Sequence, residues 1–326
     1  MASSKQLVAM IRSHAAGDDQ RFLSIAEHIA ADASKAGHHR MADEIRLLVN
    51  SLREEADERR PASRPTLLAA PRGELASLVR ASYPETRLSD VVLSEDIHTR
   101  LQRIVREHRE RVLLADSGLS PRRKILLSGP PGTGKSMTAA AIAGELGLPL
   151  FTVLLDGVIT KFMGETAAKL RIVFDAMQGA RGVYFFDEVD ALATRRGAEN
   201  DIGEARRMLN SFLQFLDEDS SGSLIFAATN HQELLDRAIF RRFEATISYD
   251  LPPPDHVRRI VTQRLPQFDL AAIEWAEVTD AAEGLSQADI VAAADDAARD
   301  AVLEAGGVLT GDTLVRAVRD RADPVR

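Results

Sequence analysis

The 326-residue sequence contains no cysteine, which excludes disulfides, thiolate-bound metals and a cysteine nucleophile. It also lacks a run of about 18 apolar residues, the length that a membrane-spanning helix needs, so we expect no transmembrane helix. Residues 1–6 have no apolar stretch of the kind found in a secretory signal. Together these absences predict a cytoplasmic protein without a membrane partner.

Basic residues are not in excess either. The formal net charge is −8, and residues 251–326 carry 8 Arg against 14 Asp or Glu. Proteins that bind nucleic acid usually have a basic footprint, so a nucleic-acid partner is disfavoured. No H-E-x-x-H segment occurs, which excludes a self-contained zinc protease of the membrane-bound type.

The most informative segment that is present follows the apolar run at residues 124–128. It fits the pattern G-x-x-x-x-G-K-[ST] between a predicted strand and a predicted helix. A glycine-rich loop at a helix N-terminus presents N–H groups to phosphates, while its lysine reaches the β- and γ-phosphates and its hydroxyl holds Mg²⁺. The predicted nucleotide-binding residues are Gly129, Pro130, Pro131, Gly132, Thr133, Gly134, Lys135 and Ser136.

A second predicted strand, residues 183–186, ends in the acidic pair Asp187 and Glu188. Behind a phosphate loop, an aspartate at a strand's carboxyl end fits the Mg²⁺ shell, so the predicted metal ligands are Ser136 and Asp187. Glu188 fits a general base that activates the attacking water. The alternative is a solvated strand end, and the phosphate loop upstream argues against it.

Three polar residues further along the chain complete the candidate catalytic set. Asn230 follows an apolar run at 224–228 and is placed to position the attacking water or, alternatively, to cap the next helix. Arg241 and Arg242, supplied by a neighbouring subunit, would stabilise charge that develops on the γ-phosphate. The alternative for this pair is a set of surface salt bridges.

A large apolar residue lies in a predicted loop between charged and glycine residues. The segment Lys161, Phe162 and Met163 is followed by Gly-Glu. Surface loops are normally polar, so an exposed phenylalanine here would suit contact with another chain. The alternative is a Phe162 ring that folds back into the core.

Six motifs in fixed order resemble the AAA ATPases, the protein-remodelling clade of the AAA+ superfamily. Over about residues 87–305 they read GPPGTGKS, KFMGE, FFDEVDAL, ATN, LDRAIFRRFE and GLSQADI. The resemblance implies a ring, usually a hexamer, with ATP and Mg²⁺ at the subunit interfaces. It also implies that Asn230 is the sensor of the γ-phosphate and that residues 161–163 grip a polypeptide in the central pore.

Two details of the resemblance bear on the arginines. Ala288 stands where many other AAA+ clades have a phosphate-sensing arginine, which gives more importance to arginines supplied in trans. The resemblance makes Arg241 and Arg242 these trans fingers, but the segment 240–243 is shorter than the family's common form. Which of the two arginines inserts is therefore left open.

The pattern of apolar runs predicts the organisation of the chain. Alternating strand and helix patterns over 87–250 indicate a large α/β subdomain, a parallel sheet with helices on both faces. Only helical patterns follow, which predicts a small all-α lid at 251–326. Helical periodicity predicts a small N-terminal module for a substrate or partner at 1–60. Proline-rich residues 61–86 are interpreted as a linker, in which a short helix from Gly73 to Ala81 could form.

The function that these features favour is an ATP-hydrolysing ring that unfolds or translocates proteins. One alternative is an ATP-dependent regulatory switch or scaffold that acts with a partner protein. The layout resembles solitary bacterial AAA ATPases encoded beside a subtilisin-like protease, which implies a separately encoded protease as a partner. A nucleic-acid motor is the other alternative, against which the acidic lid and Ala288 weigh.

Overall fold

The computed structural model describes the chain from residue 71 to residue 322, all within the compact unit Pro65–Arg326. Within this span, residues 72, 160–162, 193–200, 236 and 305 are left out, and only the backbone is described at 163, 201–206 and 237–238. The predicted N-terminal module at 1–60 therefore lies outside the described residues. The division of the chain into domains stays a prediction.

A six-stranded sheet forms the centre of this unit, in the order β1-β3-β4-β5-β2-β6. All neighbouring strands run parallel except β1, which is antiparallel to β3. The predicted α/β fold with a parallel sheet is thus confirmed, except that the edge strand β1 is antiparallel. The strands are β1 (Val79–Ser82), β2 (Lys124–Ser128), β3 (Leu150–Val153), β4 (Val183–Phe186), β5 (Leu224–Thr229) and β6 (Ala245–Ser248).

Helices cover both faces of the sheet. Successive residues of β5 point to opposite sides, so Ile225 belongs to one buried cluster and Phe226 to another. The described helices before the lid are α1 (Leu75–Leu78), α2 (Glu95–Arg109), α3 (Arg111–Asp116), α4 (Lys135–Leu146), α5 (Leu155–Val158), α6 (Met163–Gly179), α7 (Asp201–Glu218) and α8 (Arg237–Phe240). Helices α6 and α7 pack on the Ile225 side, while α2 and α4 pack on the Phe226 side.

Part of the segment interpreted as a linker belongs to the sheet, which corrects that prediction. Residues 75–82 form α1 and β1, and β1 pairs with β3 from Val79↔Val153 to Ser82↔Leu150. Leu78 and Val79 are buried in the core. Elements of four residues show no periodicity, and the partner strand lies far along the chain, so the surrounding prolines dominated the sequence pattern.

In the described part of the chain, four helices follow β6 and form their own buried cluster, within the segment where the sequence predicted only helices. They are α9 (Pro254–Arg264), α10 (Trp275–Ala281), α11 (Gln287–Glu304) and α12 (Gly311–Ala322). A reciprocal capping box opens α11: Asp289 N–H donates to Ser286 Oγ (3.2 Å), and Ser286 N–H donates to Asp289 Oδ2 (3.1 Å). In the described part of the chain, no helix is long and apolar enough to cross a membrane.

Candidate nucleotide-binding site

The loop between β2 and α4 has a backbone shape that only glycine adopts readily. Gly129, Gly132 and Gly134 have φ angles of 141°, 72° and 96°. A Cβ atom on Gly129 would lie 2.2 Å from the backbone carbonyl oxygen of Tyr249, and one on Gly132 would lie 2.4 Å from Ser286 Oγ. The loop therefore packs against the end of β6 on one side and the start of α11 on the other.

Lys135, the first residue of α4, turns its side chain back into this loop. Its Nζ donates to the carbonyl oxygens of Gly129 (2.8 Å) and Pro130 (2.6 Å). Burial lowers the pKa of Lys135, and the nearby carboxylates of Asp187 and Asp190 oppose that shift. A cation thus lies within the loop, where a phosphate group would supply the anionic partner that its buried position favours.

Ser136 and Asp187 bring a hydroxyl and a carboxylate together at the start of α4. Ser136 Oγ donates to Asp187 Oδ2 at 3.1 Å. These are oxygen ligands, which Mg²⁺ prefers, and Mg²⁺ sites commonly use one or two protein groups together with substrate phosphates. Among the described residues, no group of three or more His, Asp or Glu side chains could hold a metal ion.

Glu188 adopts an unusual backbone conformation at the end of β4. Its φ angle is 52°, the only positive value for a non-glycine residue in the described chain, and its N–H donates to Asp187 Oδ1 at 3.0 Å. Such conformations cost on the order of 1–3 kcal/mol and persist where the surroundings hold them, often at functional sites. The turn places an exposed carboxylate beside the phosphate loop.

One cavity of about 760 Å³ is lined by most of the predicted nucleotide-binding residues, by the acidic pair and by Asn230. That volume lies within the range of small-molecule sites. Its sheet side holds the residues predicted from the sequence, namely Pro131, Gly132, Gly134, Lys135, Ser136, Asp187, Glu188 and Asn230, together with Met137. Its other side includes Ala288, which the resemblance placed at a phosphate-sensing position, and residues that were not predicted, namely Asp90, Val92, Ile260, Gln263, Arg264, Gln287 and Val291.

The unpredicted wall combines apolar side chains with one fixed cation. Val92, Ile260 and Val291 present apolar surface of the kind that a nucleobase packs against. Arg264 Nε and an Nη atom donate to the two carboxylate oxygens of Asp295 at 2.7 and 2.8 Å, which lowers the pKa of Asp295. In the sequence, Ile260 and Val291 match the periodicity of an ordinary helix core, so nothing marked them as site residues.

Asn230 lies directly after β5 and lines the cavity. The turn that follows is stabilised by Thr229 rather than by Asn230, because His231 N–H donates to Thr229 Oγ1 at 3.1 Å. The 3₁₀ turn at Gln232–Leu234 has no side-chain cap. Asn230 therefore lies beside Asp187 and Glu188 in the cavity, while Thr229 accepts the hydrogen bond that stabilises the turn.

The two candidate finger arginines lie outside this cavity. Arg242 Nε donates to Asp217 Oδ2 on α7 at 2.7 Å, which is the surface ion pair considered from the sequence. Arg241 is exposed, and neither arginine is among the described residues that line the cavity. Within one chain, the structure does not bring these arginines to the phosphate loop.

The predicted pore segment is only partly described. Lys161 and Phe162 lie outside the described residues, while α6 begins at Met163. The prediction of a loop through Glu165 is therefore wrong from Met163 onward. A carboxylate in the first turn, that of Glu165, favours helix formation there because it lies at the positive end of the helix dipole.

The fold and site together define a P-loop nucleoside triphosphatase: a phosphate loop between strand and helix, with acidic and polar residues ending the two strands beyond it. A sequence model described as "ATPase family associated with various cellular activities (AAA)" matches residues 125–251. An uncharacterized AAA family ATPase of Sinorhizobium fredii, y4kL, is 34% identical over 325 residues, 99% of this chain and 96% of that protein. The chain belongs to the AAA family of ATPases, and it binds and hydrolyses ATP.

Other relatives match only in part. The ATP-dependent zinc metalloprotease FtsH 1 of Symbiobacterium thermophilum is 34% identical over 68% of this chain and 39% of its own length. The proteasome-activating nucleotidase of Aeropyrum pernix is 33% identical over 76% of this chain and 63% of its own length. A crystal structure of the FIGL-1 AAA domain superposes with a TM-score of 0.61 at 23% identity, over 79% of this chain and 91% of that chain, which shows a shared fold.

Proposed function

We propose that this ATPase works as a ring, in which hydrolysis at each subunit interface drives the remodelling of protein substrates. The observation that carries the proposal is the composition of the cavity. It holds a phosphate loop, an acidic pair and Asn230, yet Arg241 and Arg242 lie outside it. Arg264, which does line it, is paired with Asp295. An arginine from the next subunit would supply the missing charge.

The described residues suit ATP and Mg²⁺. The glycines of the loop allow its positive φ angles, and Lys135 is the cation within the loop. Ser136 and Asp187 would hold the metal, which supplies charge neutralisation at the phosphates. Glu188 accepts a proton from the attacking water, and Asn230 orients that water.

Of the two arginines, Arg241 is the better candidate for the finger. Arg242 already makes an ion pair with Asp217 in its own chain, and inserting it elsewhere would break that pair. Arg241 is exposed next to it and could reach a neighbouring subunit at lower cost. The sequence left open which arginine inserts, and the 2.7 Å hydrogen bond of Arg242 to Asp217 favours Arg241.

The proposal of protein substrates rests on the partial relatives and on sequence features. The names of two relatives refer to proteolysis, one as a metalloprotease and one as a proteasome-activating nucleotidase. We propose a hexamer in which Lys161, Phe162 and Met163 grip a polypeptide in the pore. Residues 1–60 would bind a substrate or adaptor, and a separately encoded protease would act as a partner.

The remodelling step is tested with fluorescein-labelled casein, an unfolded protein. Casein is expected to raise the wild-type ATPase rate about two- to fivefold, as substrate engagement couples to hydrolysis. Phe162→Ala should keep the basal rate and lose this response. Leu303→Ala, which alters a side chain that is 81% exposed in the lid, is the matched control and should respond as wild type does.

Two results would contradict the remodelling proposal. One is a Phe162→Ala variant that responds to casein as strongly as Leu303→Ala does. The other is a wild-type rate that casein leaves unchanged, which would favour the regulatory switch that acts through a partner protein.

A further inference from the structure

A buried hydrogen bond joins the ends of β4 and β5 beside the candidate site. Thr229 Oγ1 donates to Asp190 Oδ1 at 2.8 Å, and the same hydroxyl oxygen accepts from His231 N–H at 3.1 Å. Thr229 is completely buried, and Asp190 is 8% exposed. A buried polar group that lacks a hydrogen-bond partner costs free energy, so the burial of both residues favours this contact.

The two residues belong to the turns that carry the proposed catalytic groups. Asp190 lies in the 3₁₀ turn that follows Glu188, and Ala191 N–H donates to the Glu188 carbonyl oxygen at 2.8 Å. On the other strand, Asn230 lies between Thr229 and His231, the residues that the second hydrogen bond joins. The bond between Thr229 and Asp190 therefore connects the Glu188 turn to the Asn230 turn.

The backbone alone does not make this connection. Pairing between β4 and β5 runs from Val183↔Leu224 to Phe186↔Ala227 and ends there. The end of β5 stays paired with β2 as far as Ser128↔Thr229. The turn after β4, with Glu188 at a φ of 52°, thus extends past its last ladder partner on β5 and is held there by the Asp190 side chain.

We propose that Asp190 and Thr229 are positioning residues, which fix the distance between the Glu188 carboxylate and the Asn230 amide and so orient the attacking water. The inference rests on the proposed roles of Glu188 and Asn230. A small displacement of a catalytic group costs rate more than it costs binding, because the phosphate loop that binds ATP stays intact. Hydrolysis should therefore be more sensitive to this bond than ATP affinity is.

Three single variants test the inference by steady-state kinetics. Thr229→Val keeps the shape and removes the hydroxyl, and it should lower kcat about 10- to 100-fold with KM for ATP changed less than about threefold. Thr229→Ser restores the donor and should return kcat to within about threefold of wild type. Ser223→Ala is the matched control, because its buried hydroxyl accepts from Gly182 N–H at 3.2 Å at the opposite end of the same strand pair.

The control separates positioning from stability. Both Thr229→Val and Ser223→Ala should lower the Tm, but kcat of Ser223→Ala, measured well below its Tm, should stay within about twofold of wild type. If the two variants lose kcat equally, or if Thr229→Val keeps wild-type kcat, the inference is wrong. A loss confined to KM would also overturn it.

A double variant asks whether Asp190 acts through Thr229. Once Thr229→Val has removed the donor, adding Asp190→Asn should lower kcat by less than about threefold more, because the hydroxyl through which Asp190 is proposed to act is already absent. If the double variant loses kcat by the product of the losses of the two single variants, Asp190 does not act through Thr229. Glu188→Gln separates a failure of the proposed site from a failure of this inference. Wild-type hydrolysis by Glu188→Gln would refute the proposed site. An inactive Glu188→Gln together with a fully active Thr229→Val would refute this inference alone.

Discussion

Glu188→Gln is expected to lower the rate of ATP hydrolysis by about 10²- to 10⁴-fold while ATP affinity stays within a few-fold of wild type. The Glu188 carboxylate lies in the cavity beside Lys135, Ser136 and Asp187. Glu188 begins the turn that follows β4, where its φ angle is positive. Glutamine keeps the size and the hydrogen-bonding shape of glutamate but cannot accept a proton from water. The phosphate loop, which carries the binding energy, is not altered.

Single-turnover hydrolysis and binding of a fluorescent ATP analogue measure the two quantities separately. Glu283→Gln serves as the control, because Glu283 is an exposed lid glutamate that does not line the cavity. The control should match wild type in both measurements. Hydrolysis by Glu188→Gln within about threefold of the control rate would rule out Glu188 as the general base.

Gly129→Ala is expected to abolish ATP binding and to destabilise the fold by about 3 kcal/mol or more. The new Cβ would lie 2.2 Å from the carbonyl oxygen of Tyr249. That backbone cannot retreat easily, since Tyr249 N–H donates to Ser128 O (2.7 Å) and its phenol oxygen lies 2.7 Å from Thr138 Oγ1. The loop would have to move instead, and with it the N–H groups that surround phosphate.

Gly118→Ala separates the clash from backbone strain alone. Gly118 also has a positive φ, 71°, but a Cβ there meets no atom within 4 Å. Its substitution should cost about 1 kcal/mol and leave ATP affinity unchanged. Thermal unfolding and ATP titration compare the stability and the ATP affinity of the two variants. A Gly129→Ala protein that is as stable as Gly118→Ala and binds ATP as tightly would contradict the described loop geometry.

The sheet side of the site could be predicted because its chemistry is local in sequence. A phosphate loop requires glycine, lysine and serine at fixed spacing, and Asp187 and Glu188 follow their strand directly. The capping box of Ser286 and Asp289 is also local, because its two residues are three positions apart. In each case, the residues that make up the motif are only a few positions apart.

Contacts between distant segments escaped prediction. Strand β1 is short, and its partner β3 lies beyond several other elements, so the segment was interpreted as linker. In the apolar wall, Ile260 and Val291 look like ordinary helix core, and Val92 lies in a loop, until the lid is placed over the phosphate loop. The ion pair of Arg242 with Asp217 likewise depends on how α7 packs, which periodicity does not reveal.

The central claim is that each ATP site is shared by two subunits, and subunit mixing tests it most directly. Lys135→Ala removes the cation of the loop, and Arg241→Ala removes the proposed finger, so each variant alone should be inactive. Co-expressed in equal amounts, they should recover about a quarter of the wild-type ATPase rate, since about one interface in four receives an intact loop and an intact arginine. A mixture as inactive as the separate variants would contradict the shared site.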